Sequence, residues 1–237
     1  MNWLGPVRQC RTAIPAILKW PVSAYWQPFA LYVIFLAIDP WLGSLFPDMD
    51  FRWSYGFRIA APLGALAFYL RVYGELQTAS AELGDWLWAL LLGILVFLVW
   101  INLDSGWAVV GNATDGFIPV GAGGRLLWPL VVLRLFGAAL VVPIIEELFW
   151  RSFLQRWIDQ SDFLALAPGA GSQRAHFLTS LAFGLEHNEW LAGILAGLAY
   201  GWLYRRSGRL WVPIAAHALT NLLLGIWVVG NGAWKFW

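Results

Sequence analysis

Residues 141–151 read Val-Val-Pro-Ile-Ile-Glu-Glu-Leu-Phe-Trp-Arg, and the fold is decided by how this stretch is read. Two adjacent carboxylates and a guanidinium sit inside an apolar run that extends from Leu126 to about Trp157. An ionisable group in a lipid-embedded segment is costly, so it has either a partner or a task. On a helix Glu147 and Arg151 are four residues apart and share a face, with the acid N-terminal to the base, so that pair can neutralise itself. Glu146 lies about 100° round the helix at 3.6 residues per turn and points elsewhere. One glutamate is therefore expected to be structural and the other free to act. The run is too long for one simple span, and Pro143 is expected to kink or break it.

The chain around this run is suited to lipid. Of its 237 residues 60% are hydrophobic and 12% charged, against nearer half and a quarter in soluble domains. The mean hydropathy is +0.63, and a chain of this length cannot hide so much apolar surface in one soluble core. The 18 tryptophans suit the headgroup level, where one edge of the indole is apolar and the other wet. A net charge of +1 gives no basic field and argues against a nucleic-acid partner. One cysteine, Cys10, excludes an internal disulfide and a Cys-rich metal cluster.

Spans of about 20 apolar residues fall at Trp26–Phe46 (interrupted late by Asp39-Pro40), Phe57–Tyr73, Trp86–Leu103, Leu126–Trp157, Ala175–His187, Trp190–Tyr204 and Leu210–Val229. The expected class is all-α, a polytopic membrane bundle of about seven transmembrane helices, or eight. Residues 103–125 and 168–174 read as loops. Lys and Arg collect before the first span, at 151–174 and at 205–209. This puts the N-terminus and those loops in the cytoplasm. The connection from Arg71 to Asp85 departs from that pattern, since it carries Glu75, Glu82 and Asp85. No short apolar core with a small-residue cleavage site is seen at the start. Residues 1–25 are thus expected to remain as a basic cytoplasmic segment, followed by N-terminal transmembrane helices over 26–125 and a second membrane domain over 126–237. Gly193, Gly197 and Gly201 form a stripe that lets two helices approach closely.

Two further polar elements follow the glutamates: Phe183-Gly184-Leu185-Glu186-His187, and His217-Ala218-Leu219-Thr220-Asn221, in which His217 and Asn221 share a helix face. On straight helices at 1.5 Å per residue, Glu146, His187 and Asn221 lie ~18 Å from the cytoplasmic ends of their spans and His217 ~12 Å. They can meet at one level, and the depth favours water entering from the cytoplasm. His176 has no partner motif and reads as a surface or loop residue. Asp39, Arg58, Arg71 and Arg134 read as snorkelling or locally paired charges.

The order Glu-Glu-x-x-x-Arg, Phe-x-x-x-His and His-x-x-x-Asn, on separate apolar helices, resembles the signature of the CAAX proteases and bacteriocin-processing enzymes. The resemblance covers about Leu126 to Val229. It implies a membrane-embedded endopeptidase in which Glu146 and His187 activate a water. His217 and Asn221 stabilise the oxyanion, and Glu147, Arg151 and Phe183 support them. The chain is also similar to the CAAX-protease-related proteins of bacterial exosortase (PEP-CTERM) systems. That likeness implies a bacterial inner membrane, a membrane-associated protein or peptide as substrate, and exosortase-system proteins as partners.

The chemistry suits peptide hydrolysis: a carboxylate with a histidine can take a proton from water, and preorganised donors can hold the oxyanion. No serine or cysteine lies in the cluster. Ser152 and Ser180 are the nearest, outside any nucleophile motif. No cofactor or metal is expected. The closest rival is a zinc peptidase with Glu146, His187 and His217 as ligands, Glu147 being a further candidate, although no His-Glu-x-x-His helix is present. A non-catalytic scaffold or immunity-like protein is a second alternative. A proton-coupled transporter is a third, though it would show discontinuous helices in repeated halves.

Overall fold

The computed structural model describes residues 21–110 and 116–237. The expected N-terminal basic segment lies largely outside the described residues, as does part of the 103–125 loop. Among the described residues every regular element is a helix, apart from an isolated bridge between Val120 and Leu126. We label the long helices α1 (Val22–Leu45), α2 (Ser54–Tyr69), α3 (Leu83–Asn102), α4 (Trp128–Trp157), α5 (Gln173–Leu185), α6 (Trp190–Ser207) and α7 (Trp211–Asn231). Four of them, α1, α3, α4 and α7, are long and apolar enough to cross a membrane. The surface agrees with this. Leu87, Leu90, Leu91, Ile94, Leu95 and Leu98 of α3 are all exposed, an apolar face of a kind that water does not tolerate on a monomer. The chain is an integral membrane protein.

The connections gather at two ends. At one end Glu75 accepts from Arg156 Nη2 at 2.7 Å and from the Tyr204 hydroxyl at 2.6 Å. There Asp85 pairs with Arg206 at 3.3 Å, and Arg205 Nε donates to the Gly171 carbonyl at 3.0 Å. At the other end Arg52 donates to the carbonyls of Ile118 and Val120. Val110 N donates to Asn188 O, Phe117 N donates to Trp237 O, and Lys235 pairs with Asp104. The acidic residues of the 71–85 connection therefore do not contradict the charge pattern. Glu75 and Asp85 are the counter-charges of Arg156 and Arg206 beside them.

Several expectations need correction. Asp39-Pro40 does not interrupt α1, and at Pro143, where a kink or a break was expected, α4 continues unbroken but changes register. Proline is tolerated inside helices in lipid where the freed carbonyl is satisfied another way, and α4 makes room by changing register. It is π-helical over Gly137–Val141 and again over Leu148–Leu154. The fifth helix ends at Leu185, so His187 lies in the turn beyond it. His176 is not a surface residue: it is buried in the first turn of α5, against Gly201. The Gly stripe explains that position. A methyl placed on Gly193 would sit 2.9 Å from Gly184 Cα, and one on Gly197 would sit 2.8 Å from Ser180 Cα. Helices α5 and α6 thus pack backbone to backbone, as small-residue stripes permit.

The stripe yields a stability test. Gly197→Ala forces α5 and α6 apart and should lower the thermal unfolding midpoint in detergent by several degrees, a loss of about 1–3 kcal/mol of the overpacking kind. Gly64→Ala on α2, where no atom lies within 4 Å of the added methyl, should leave it unchanged or raised. Equal midpoints for both variants would show that the close approach carries no energy.

Candidate active site

The site is built on Glu147, which is wholly buried on α4. Its Oε2 lies 3.1 Å from Arg151 Nε, one turn along. Its Oε1 lies 2.9 Å from Nδ1 of His217 on α7. A carboxylate paired with arginine can only accept, so Nδ1 carries the hydrogen. The other ring nitrogen, Nε2, is then left for the cavity side. It lies 4.0 Å from Glu146 Oε2, a buried atom with no hydrogen-bond partner. A separation of this kind, beyond direct hydrogen-bond reach, is where a bridging water is to be sought.

Arg151 is held from three sides. Beyond Glu147, its Nη2 reaches the Gly197 carbonyl at 3.5 Å, and its guanidinium lies over the Phe183 ring at 4.5 Å. Both partners depend on the tight α5–α6 seam. Phe183 is accordingly a platform for the arginine as well as packing. The His217 ring is fixed in turn by Tyr200, stacked at 4.9 Å and 17°. The Tyr200 hydroxyl donates to Thr220 Oγ1 at 2.8 Å, and Thr220 lies 2.9 Å from the Gly93 carbonyl of α3. Gly93 permits that approach, since a methyl there would stand 2.8 Å from the Ala216 carbonyl oxygen.

Asn221 is placed by the register change in α4. Val142 N donates five residues back to Gly137 O. In the same register the Ala138 carbonyl would need the N–H of residue 143, and residue 143 is proline. Asn221 Nδ2 donates to that carbonyl at 2.8 Å. His187 is placed by the end of α5: its Nδ1 lies 2.8 Å from Phe183 O. A carbonyl only accepts, so Nδ1 is the protonated nitrogen and Nε2 is free. His187 thus ties off the helix terminus and faces the cavity at once.

A cavity of about 380 Å³ brings Glu146, Phe183, His187, His217 and Asn221 together. Glu147 and Arg151 do not line it and stand behind it. Ser152 and Ser180 are outside it too. Ser152 is bonded to Glu75 and Arg156, and Ser180 Oγ donates to His176 O at 2.8 Å. Glu186, Tyr200 and Thr220 also line the cavity, and sequence reasoning did not single them out. The spacing Thr220-Asn221 beside His217 is the one signal that could have found Thr220. The lining includes Asn188, Glu189, Lys235 and Trp237, from the end opposite the arginine-rich loops. Among the described residues no group of three His, Cys, Asp or Glu side chains forms a metal-binding cluster. Even so, Glu146 and the two imidazoles, each anchored through Nδ1, are the donor types a zinc site would use.

Residues 128–223 match a family model. Its description is "Type II CAAX prenyl endopeptidase Rce1-like". The matched stretch begins at the first residue of α4 and contains every residue of the cavity cluster named above. A segment of 99 residues is 30% identical to "Putative membrane peptidase YdiL" of Bacillus subtilis (strain 168), covering 40% of this chain and 37% of that protein. The chain therefore aligns with well under two thirds of this relative. No solved structure matches.

The buried pair can be tested directly. Removing one partner of a buried ion pair costs about 3–5 kcal/mol, whereas replacing both with apolar groups is often near neutral. Glu147→Gln should therefore unfold at a markedly lower temperature than wild type. The double variant Glu147→Leu/Arg151→Met should recover much of that loss. A double variant no better than Glu147→Gln would mean that the carboxylate's main contribution is to His217.

Proposed function

We propose that the protein is an intramembrane endopeptidase that hydrolyses a peptide bond of a membrane-associated protein or peptide. The observation that carries this reading is the single cavity lined by Glu146, His187, His217 and Asn221, with Glu147 and Arg151 buried behind it. The matches to a CAAX-type endopeptidase family and to a membrane peptidase support the same class.

In this reading Glu146 and His187 take the proton from a water held in the cavity, and that water attacks the peptide carbonyl. His217 and Asn221 receive the oxyanion. His217, held at Nδ1 by Glu147, donates through Nε2 when doubly protonated, and Asn221 donates through its second amide hydrogen. Preorganised donors of this type are worth about 2.7–4 kcal/mol each in comparable sites. No cofactor enters this reaction. The zinc alternative keeps Glu146, His187 and His217 as ligands and is favoured by the anchoring of both imidazoles through Nδ1.

All seven helices are proposed to cross the membrane, with the N-terminus and the arginine-rich loops in the cytoplasm of a bacterium and the protein in its inner membrane. Residues 126–237 form the catalytic part, and residues 26–125 cover it. The likeness to proteins of exosortase systems directs the search for substrates and partners toward sorted surface proteins.

The test is cleavage of a membrane-anchored peptide library by bilayer-reconstituted protein. Wild type should cut. Glu146→Gln should cut about 10²–10⁴ times more slowly while unfolding at the same temperature. A chelator should change nothing. Loss of cutting with chelator, restored by zinc, would move the mechanism to the metal reading. Equal cutting by wild type and Glu146→Gln would remove Glu146 from the reaction. A library left intact by wild type would favour the scaffold reading.

A further inference from the structure

Arg134 lines the same cavity, one helical turn from Ala138 toward the start of α4. Its guanidinium lies 4.5 Å over the Tyr55 ring and 5.5 Å from that of Phe117. Its Nε is buried with no hydrogen-bond partner, and the polar group its guanidinium meets is the buried Tyr55 hydroxyl, which is neutral and cannot balance the charge. Among the described residues no carboxylate pairs with it. Its neighbour across Tyr55 is different: Arg58 Nε donates to Asp39 at 3.1 Å. Lys235, the third cation on the lining, is paired with Asp104. Among the described residues, Arg134 is thus the one cation on the lining without a carboxylate partner.

That arrangement has a cost that a ligand can offset. A buried donor without an acceptor loses about 1–3 kcal/mol, and a charged one more. The planar guanidinium presents donors in a fork that matches a carboxylate. The geometry also sets a distance. Arg134 and Glu146 are 12 residues apart on α4, ~18 Å at 1.5 Å per residue. An extended peptide covers about 3.3–3.6 Å per residue. A group held at Arg134 is therefore about five residues from a bond cut at Glu146.

Building on the endopeptidase reading above, we propose that Arg134 is a specificity-determining residue that pairs with a carboxylate of the peptide substrate about five residues from the bond that is cut. The carboxylate is either a chain terminus or an acidic side chain, and the chemistry of recognition is the same for both.

The test uses the full chain in bilayers and lipid-anchored peptides of alanine and leucine in three forms: free C-terminal acid, C-terminal amide, and amide with a single Asp at successive positions. Binding is measured on Glu146→Gln protein and cleavage on protein with Glu146 intact. At least one carboxylate form should bind about tenfold tighter than the plain amide, a difference of about 1.4 kcal/mol. Arg134→Gln should abolish the difference, Arg134→Lys should keep part of it, and the cleavage effect should fall on KM more than kcat. A preference for the free acid identifies the terminus, and a preference for one Asp position identifies a side chain. Carboxylate forms that bind no tighter than the amide, or a preference that survives Arg134→Gln, would overturn the proposal. The comparison of acid with amide on protein retaining Arg134 decides the matter even where the variants fold poorly. An Arg134-dependent preference without cleavage would sink the endopeptidase reading and leave this one standing. Cleavage indifferent to the carboxylate would do the reverse.

Discussion

The site depends on one carboxylate that touches no solvent. Glu147 holds Arg151 on one oxygen and His217 on the other, so a single buried negative charge fixes both a helix seam and an imidazole. Such a group is expensive to bury and is tolerated only when every partner is in place. The partners come from all sides. Arg151 needs Phe183 of α5 and Gly197 of α6, and His217 needs Tyr200 of α6. Tyr200 in turn needs Thr220 and, through it, the backbone of α3. The helices around the cavity are therefore not independent rods that happen to meet. Their spacing is set by the requirements of one ion pair, and small residues at positions 93, 193 and 197 make that spacing attainable.

A second constraint acts through the backbone of α4. A proline in a lipid-embedded helix leaves a carbonyl without its donor. The π register moves that vacancy to Ala138, and Asn221 supplies the missing hydrogen. Asn221 is thereby held at the cavity wall by a bond unrelated to any chemistry it performs. π turns recur at functional sites because the extra residue re-aims side chains without ending the helix. Here α4 carries two, on either side of the glutamates.

Much of this was legible in the sequence and some was not. The membrane class followed from composition, and the Glu147–Arg151 pair followed from helical spacing. Helix depth permitted Glu146, His187, His217 and Asn221 to meet at one level, and the family resemblance implied that they do. What spacing could not reach was the second partner of Glu147. Its bond to His217 joins residues 70 positions apart, and no local pattern encodes it. Tyr200 escaped notice because an aromatic residue on a Gly-rich helix reads as packing. Pro143 was expected to kink or break the helix because the sequence shows the missing N–H but not the asparagine that answers it. His176 was misplaced for a similar reason: the glycine that accommodates it, Gly201, lies on a different helix. The acidic 71–85 connection seemed at odds with the charge rule until its partners, Arg156 and Arg206, were located.

The charges of the cavity are not distributed evenly, and this bears on how a peptide would lie in it. Glu146, Glu186 and Glu189 lie toward the histidines, while Arg58 and Arg134 belong to the wall formed by α2 and the start of α4. In a low-dielectric setting such separated charges interact strongly with a ligand and weakly with water. The lining reaches the end of the bundle formed by the 186–190 turn and residues 231–237, away from the arginine-rich loops. The cavity residues are thus separated from the basic end by the Glu147–Arg151 pair and the α5–α6 seam. The same buried pair that holds His217 in place also stands behind the cavity, between its lining and the basic end.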